Sequence, residues 1–214
     1  MKGVAKNALV HRWGVPAVMA GVLLLSLALL GSGVWLMQLE RGARAVNRGE
    51  LDAAASIYAS AERPFASVSV LAWLFPDHYS RSIFPQVALL YGRGKINEAV
   101  GKLEQAATVV PSLTEHPEYE FWSGNVLLRQ ALDTDDPDVI MKNLFAAGEQ
   151  YRKGVVAMPD DWDLKYNYEL VQYLIAQQES ENKKEESRIK SILERMRTVT
   201  EPGEKEPPPP EKRG

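Results

Sequence analysis

From Trp13 to Leu39 the chain carries no charged side chain, and Val18 to Leu30 is an almost unbroken aliphatic run. That length exceeds the roughly 20 residues a helix needs to cross about 30 Å of hydrocarbon. Lys2, Lys6 and Arg12 precede the run, and Trp13 and Trp35 fall where interfacial aromatic side chains belong. A cleaved signal peptide is the competing reading, with Gly31-Ser32-Gly33 as the small residues near a cut. Against it, the apolar stretch continues through Val34, Trp35, Leu36 and Met37, beyond the short apolar region of a secretion signal. The sequence therefore predicts a basic tail over 1–12 and an uncleaved single-pass transmembrane anchor over 13–39.

Charge counting alone leaves the orientation open, because Arg41, Arg44 and Arg48 follow the span and balance the three basic residues before it. A long domain can translocate despite a few flanking arginines. The expected arrangement is a cytoplasmic N-terminus in a bacterial inner membrane, with the larger C-terminal part periplasmic. Residues 40–180 carry 13 basic and 20 acidic side chains, a net of −7. A surface of that sign repels phosphates, so nucleic acid is not an expected partner. The chain has no cysteine, which excludes disulfide scaffolds, thiolate metal sites and cysteine nucleophiles.

Beyond the anchor the apolar period is helical throughout, and no region alternates long enough to make a sheet. Three windows share one pattern: Ala54, Tyr58 and Ala61; Ala99, Leu103 and Ala106; Ala147, Tyr151 and Gly154. Small, large and small residues at offsets of four and three share a helical face, where the small ones admit a close neighbour and the large one fills the gap. Gly49 and Gly94 open the first two windows, and Pro111 and Pro159 close the second and third.

This pattern resembles the tetratricopeptide repeat (TPR), a helix–turn–helix unit whose second helix carries such a stripe. Phe121-Trp122-Ser123-Gly124-Asn125-Val126-Leu127-Leu128-Arg129 is similar to a first helix of that repeat, and Pro159 to Leu170 to a repeat end running into the next. The resemblance implies an all-α chain: a transmembrane helix, then a degenerate TPR-like helical-repeat domain (an α-solenoid) over 40–178. Equivalent small residues lie 45 and 48 apart rather than the usual 34, so extra sequence at about 64–78, 112–117 and 132–142 reads as loops or lengthened helices. The order of anchor, degenerate repeats, Asp161-Trp162-Asp163-Leu164-Lys165-Tyr166-Asn167-Tyr168-Glu169-Leu170 and polar tail resembles a narrower group of small membrane proteins. These are encoded beside MoxR-type AAA+ ATPases and von Willebrand factor A-domain proteins, of the aerotolerance and methanol-dehydrogenase maturation type. That likeness implies a non-catalytic scaffold or adaptor in assembly or maturation, with a von Willebrand factor A-domain membrane protein as the expected partner.

The repeat register then implies a binding groove. It sets Arg81, Phe84 and Tyr91 on the inner face of one repeat, Trp122, Asn125 and Arg129 on the next, and Tyr166 and Asn167 on the last. In peptide-binding members of the family, asparagines at the positions matching Asn125 and Asn167 hold the ligand backbone; the basic clamp for a terminal carboxylate is not evident here. An amide can donate to and accept from a peptide bond, and Trp122 and Tyr166 offer stiff contact area. The competing reading is that these aromatics are core and the asparagines bond within the stack.

Nothing in the sequence signals catalysis. His11, His78 and His116 are isolated, and there is no glycine-rich phosphate loop, no His-Glu-x-x-His and no Gly-x-Ser-x-Gly. The chain reads as a non-enzyme with no cofactor. Asp133-Thr134-Asp135-Asp136-Pro137-Asp138 begins like a calcium loop but lacks its glycine and final glutamate, Pro137 and Leu144 standing in the wrong places. A calcium-delivery role for the acidic loops and a purely structural tether are the alternatives to a scaffold. Val68 to Pro76, the most apolar stretch after the anchor, is expected to pack inside the repeat stack, the alternative being a patch touching the bilayer or a partner. Over 179–200, Ile189, Ile192, Leu193 and Met196 among basic residues predict an amphipathic helix that caps the stack or docks elsewhere. Residues 201–214, rich in proline, glutamate and lysine, cannot bury apolar surface and are expected to be disordered.

Overall fold

The computed structural model describes residues 4–200, with side chains over 16–193. The side chains of Lys2, Lys6, His11, Arg12, Trp13 and Met196, and the 201–214 tail, lie outside the described residues. Every regular element is helical: α1 (Val4–Asn47), α2 (Leu51–Ser67), α3 (Ser69–Leu74), α4 (Pro76–Gly92), α5 (Ile96–Val109), a 3-10 turn (Pro111–Glu115), α6 (Pro117–Leu132), α7 (Pro137–Ala157) and α8 (Trp162–Thr200). No strand occurs among the described residues.

The apolar run lies inside one helix of 44 residues, so no structural break falls between 39 and 40. α1 stops at Gly49, whose φ of 75° suits a residue without Cβ. The Gly49 N–H donates to the Val46 carbonyl and the Glu50 N–H to the Ala45 carbonyl, both at 2.9 Å. α4 ends the same way at Gly94 (φ 72°), with Gly94 and Lys95 N–H donating to Tyr91 and Leu90 at 2.9 Å. One kind of turn, a left-handed glycine collecting the last free carbonyls, thus folds α2 back on α1 and α5 back on α4. The next pair is joined differently. Asp136 Oδ1 accepts from the Asp138 and Val139 N–H groups to start α7, and Asp161 Oδ1 accepts from Leu164 to start α8.

Consecutive pairs pack side by side, α2 on α4, then α4 and α5 on α6, with α8 against α7. All three small–large–small stripes are buried at these seams. Two tyrosines of the stripes lie over glycines of the partner helix: a Cβ built on Gly42 would stand 2.7 Å from the Tyr58 ring, and one on Gly124 2.6 Å from Tyr151. Between the second helices α2 and α5, Lys102 Nζ meets the buried Glu62 Oε2 at 2.6 Å, and Gln86 Nε2 of α4 donates to the same oxygen at 2.9 Å.

The extra segments resolve as lengthened helices more than loops. Residues 64–78 are helical apart from bends at Val68 and Phe75, and most of 132–142 belongs to the first turns of α7. One expectation fails here. Val68, Val70, Trp73, Leu74 and Phe75 are exposed, and only Ala72 of α3 is buried, so this run does not pack inside the stack. The predicted 179–200 helix is the continuation of α8, and Ile189, Ile192 and Leu193 are exposed rather than capping the stack.

Glu120 on α6 is buried, and its Oε2 has no hydrogen-bond partner. Burial pushes its carboxyl pKa above the ordinary value; Lys153 opposes the shift and Glu115 reinforces it. The folded state therefore holds this proton more tightly than the unfolded chain. Stability falls as pH rises from the ordinary carboxylate value through the raised folded one, and the full cost is present above it. Glu120→Gln is expected to raise the melting temperature at pH 7 and to flatten that slope. A lowered melting temperature would mean instead that an ionised, paired carboxylate holds the site.

Candidate functional site

The first helices of the successive pairs, α1, α4 and α6, line a cleft of about 550 Å³. Its walls are Leu39, Glu40 and Ala43 from α1, Arg81, Phe84, Pro85 and Ala88 from α4, and Glu118 and Trp122 from α6, with Tyr58 contributed by α2. Ala43, Tyr58, Pro85 and Ala88 are shared with an adjoining hollow of about 410 Å³ towards the Gly49 turn. Glu118 and Trp122 are shared with another of about 240 Å³, reaching Met158, Asp161, Asp163 and Leu164 at the start of α8. The three form one furrow across the first helices, apolar along its walls.

Small side chains keep it open. Ala43 and Ala88 face the space that larger residues would fill, while Pro85, inside α4, has no N–H to give the preceding turn. The charged groups are Glu40, Arg81 and Glu118 in the main cleft and Asp161 and Asp163 at the α8 end, one cation and four carboxylates. Burial pushes the Glu118 carboxyl pKa up, and His116 and Arg81 pull it partly back. A furrow of this make-up can hold an apolar stretch of peptide and meet its polar atoms or a charged side chain at the rim.

Of the residues the repeat register pointed to, Arg81, Phe84 and Trp122 line this cleft. Arg81 is exposed, Phe84 is buried with one edge on the cavity, and Trp122 packs against Tyr91 with ring centroids 5.8 Å apart. The asparagines go elsewhere. Asn125 is buried, and its Oδ1 accepts from the Tyr151 hydroxyl at 2.7 Å and from Asn167 Nδ2 at 3.1 Å. That network ties α6, α7 and α8 together and leaves this oxygen to the stack rather than to a ligand. Burial also raises the Tyr151 hydroxyl pKa, keeping it a neutral donor to Asn125. Arg129 pairs with Asp133 at 2.9 Å on the surface, and Tyr166 is exposed on α8.

Leu39, Glu40 and Ala43 were not anticipated as site residues. Leu39 closes the charge-free run and Glu40 and Ala43 sit just past it, where a reading that ends the anchor at Leu39 stops looking for a repeat helix. The signal was present in Gly42, twelve residues before Ala54, as a close-approach partner for the first stripe. Among the described residues no three His, Asp or Glu side chains converge into a metal-sized cluster, and Asp136 and Asp161 are engaged as helix caps. Comparison with protein-family models, with curated proteins and with solved structures finds no match to this chain.

Proposed function

We propose that this protein is a membrane-anchored scaffold of degenerate TPR-like helix pairs that holds a segment of a partner protein in the furrow across α1, α4 and α6. The observation that carries the reading is that furrow: successive first helices contribute Leu39, Phe84 and Trp122 to one apolar wall, with the charged Arg81 and Glu118 beside them. The repeated glycine turns and the buried small–large–small stripes support a repeat architecture beneath it. Trp122, with Phe84, Tyr58 and Arg81 lining the same cleft, is the kind of centre on which peptide-binding surfaces concentrate their energy.

The anchor is α1. It offers a helix from Pro16 to Asn47 long and apolar enough to cross a bilayer, with its hydrophobic side chains exposed. Its hydroxyls are accommodated locally: Ser26 and Ser32 donate to the Val22 and Ala28 carbonyls at 2.9 Å, as a span without water requires. The likeness to proteins encoded beside MoxR-type ATPases points to a von Willebrand factor A-domain membrane protein as the partner, in a maturation or assembly role on the periplasmic side.

Photo-crosslinking in native membranes tests the reading. With a benzoylphenylalanine at position 81, a discrete crosslinked protein is expected, and the same substitution at the exposed Val156 of α7 is expected to give none. Equal crosslinking from both positions, or from neither, would remove the case for the furrow. Protease accessibility in spheroplasts reads the sidedness.

A further inference from the structure

Pro64 to Pro76 is a second charge-free run, thirteen residues between Arg63 and Asp77. It makes an elbow: the end of α2, a bend at Val68, the six-residue α3, and a bend at Phe75 that starts α4. The apolar side chains on its outside are bare, with Val70 55%, Trp73 68%, Leu74 54% and Phe75 50% exposed. A patch of this kind, contiguous and including a tryptophan, is costly to leave in water.

What it touches fixes what covers it. Leu71 and Phe75 line a largely apolar cleft of about 400 Å³ whose opposite wall is Ala28, Gly31 and Ser32 of α1. These residues belong to the charge-free span, and Ala28 lies seven residues, about 10 Å of helical rise, on the membrane side of Trp35. The elbow is clamped at that level: Trp35 Nε1 donates to the Ala61 carbonyl at 3.0 Å, and its ring meets Phe65 edge-on and lies 5.0 Å from His78. The bends carry their own hydrogen bonds. Val68 N–H donates to Pro64, Phe75 N–H to Leu71, and the Phe75 carbonyl accepts from His78 and Tyr79. Pro64 and Pro76 have no N–H to satisfy. Irregular backbone that pairs its polar groups internally is the form in which such a bend tolerates a lipid environment.

We propose that the Pro64–Pro76 elbow is a membrane-inserted element, dipping beside α1 into the leaflet from which the domain emerges, so that acyl chains cover Val70, Trp73, Leu74 and Phe75 and enter the cleft against Ala28 and Gly31. The proposal rests on the reading of α1 as a membrane span. It gives the domain two attachments to one leaflet.

Because the chain has no cysteine, single cysteines can be placed and nitroxide-labelled in the full-length protein. Leu74→Cys and Val70→Cys, with Leu24→Cys in the span and Val156→Cys on α7 as references, are read in nanodiscs of phosphatidylcholine and phosphatidylglycerol. Collision with oxygen and with a water-soluble nickel chelate reports depth. Positions 74 and 70 are expected to lose nickel accessibility to the level of position 24 and to gain oxygen accessibility over position 156. If 74 and 70 read like 156 while 24 reads as lipid, the elbow is in water and the proposal falls with the anchor intact. If 24 itself reads as water, the span reading fails first. Labels shielded from both reagents at 74 and 70 would mean that protein, such as a second copy, covers the elbow, and would equally overturn it.

Discussion

Gly124→Ala is expected to cost about 3 kcal/mol of domain stability, at the upper end of what one added methyl does in a packed interior. The new Cβ would stand 2.6 to 2.8 Å from three ring atoms of Tyr151. That ring cannot step aside, because Tyr151 is fully buried and its hydroxyl is held by Asn125 Oδ1 at 2.7 Å. Either α6 and α7 move apart or the hydrogen bond breaks, and both spread the damage to Asn167 on α8. In thermal unfolding of the detergent-solubilised chain this corresponds to a fall of roughly 10 °C. Gly101→Ala is the counterpart: nothing lies within 4 Å of a Cβ there, and removing a helix-interior glycine is expected to raise stability by about 0.5–1 kcal/mol. Equal effects from the two substitutions would refute the close approach at Gly124.

Lys102→Met is expected to cost about 3 kcal/mol, because it strands a buried carboxylate. Glu62 and Lys102 have only 9% and 16% of their side chains exposed, so water does little to replace the lost ammonium. Gln86 continues to donate to Glu62 Oε2, which keeps the loss below that of a wholly orphaned charge. The double replacement Glu62→Gln with Lys102→Met is expected to recover most of the stability, since a neutral amide needs no counter-ion. Circular dichroism melts of the single and double variants decide it: a single variant that melts with the parent would mean that the pair is open to solvent.

Helices and stripes were legible because both are local. Ala99, Leu103 and Ala106 announce a buried helical face from spacing alone, and Gly94 announces the turn before it. The groove was legible only in part. Arg81, Phe84 and Trp122 could be set facing inward by register, but whether a polar residue on that face is free depends on its partner across the stack. Asn125 illustrates this: its oxygen is taken by Tyr151, 26 residues later, and Asn167, 42 residues later. No spacing rule reports such distant contacts. From sequence the α3 run is expected inside the stack, with an exposed patch as the alternative, for a related reason. An apolar run calls for cover, and its composition alone cannot say whether the cover is protein or lipid.

The unbroken course of α1 has a mechanical consequence. The helix that supplies the apolar span also supplies Leu39, Glu40 and Ala43 to the furrow, with no joint between. Those three residues stand only four to eight positions past Trp35, about 6–12 Å of rise. With α1 spanning a bilayer as proposed, the furrow neither swivels nor lifts away from the lipid, as a domain on a flexible tether would. Its azimuth is then set by the rotation of the span, like a vane fixed to its mast, and the proposed partner would have to present its segment close to the bilayer surface and from one compass direction. On the proposed scaffold reading, recognition would be a two-dimensional search within the membrane plane, which favours a client that is itself embedded there.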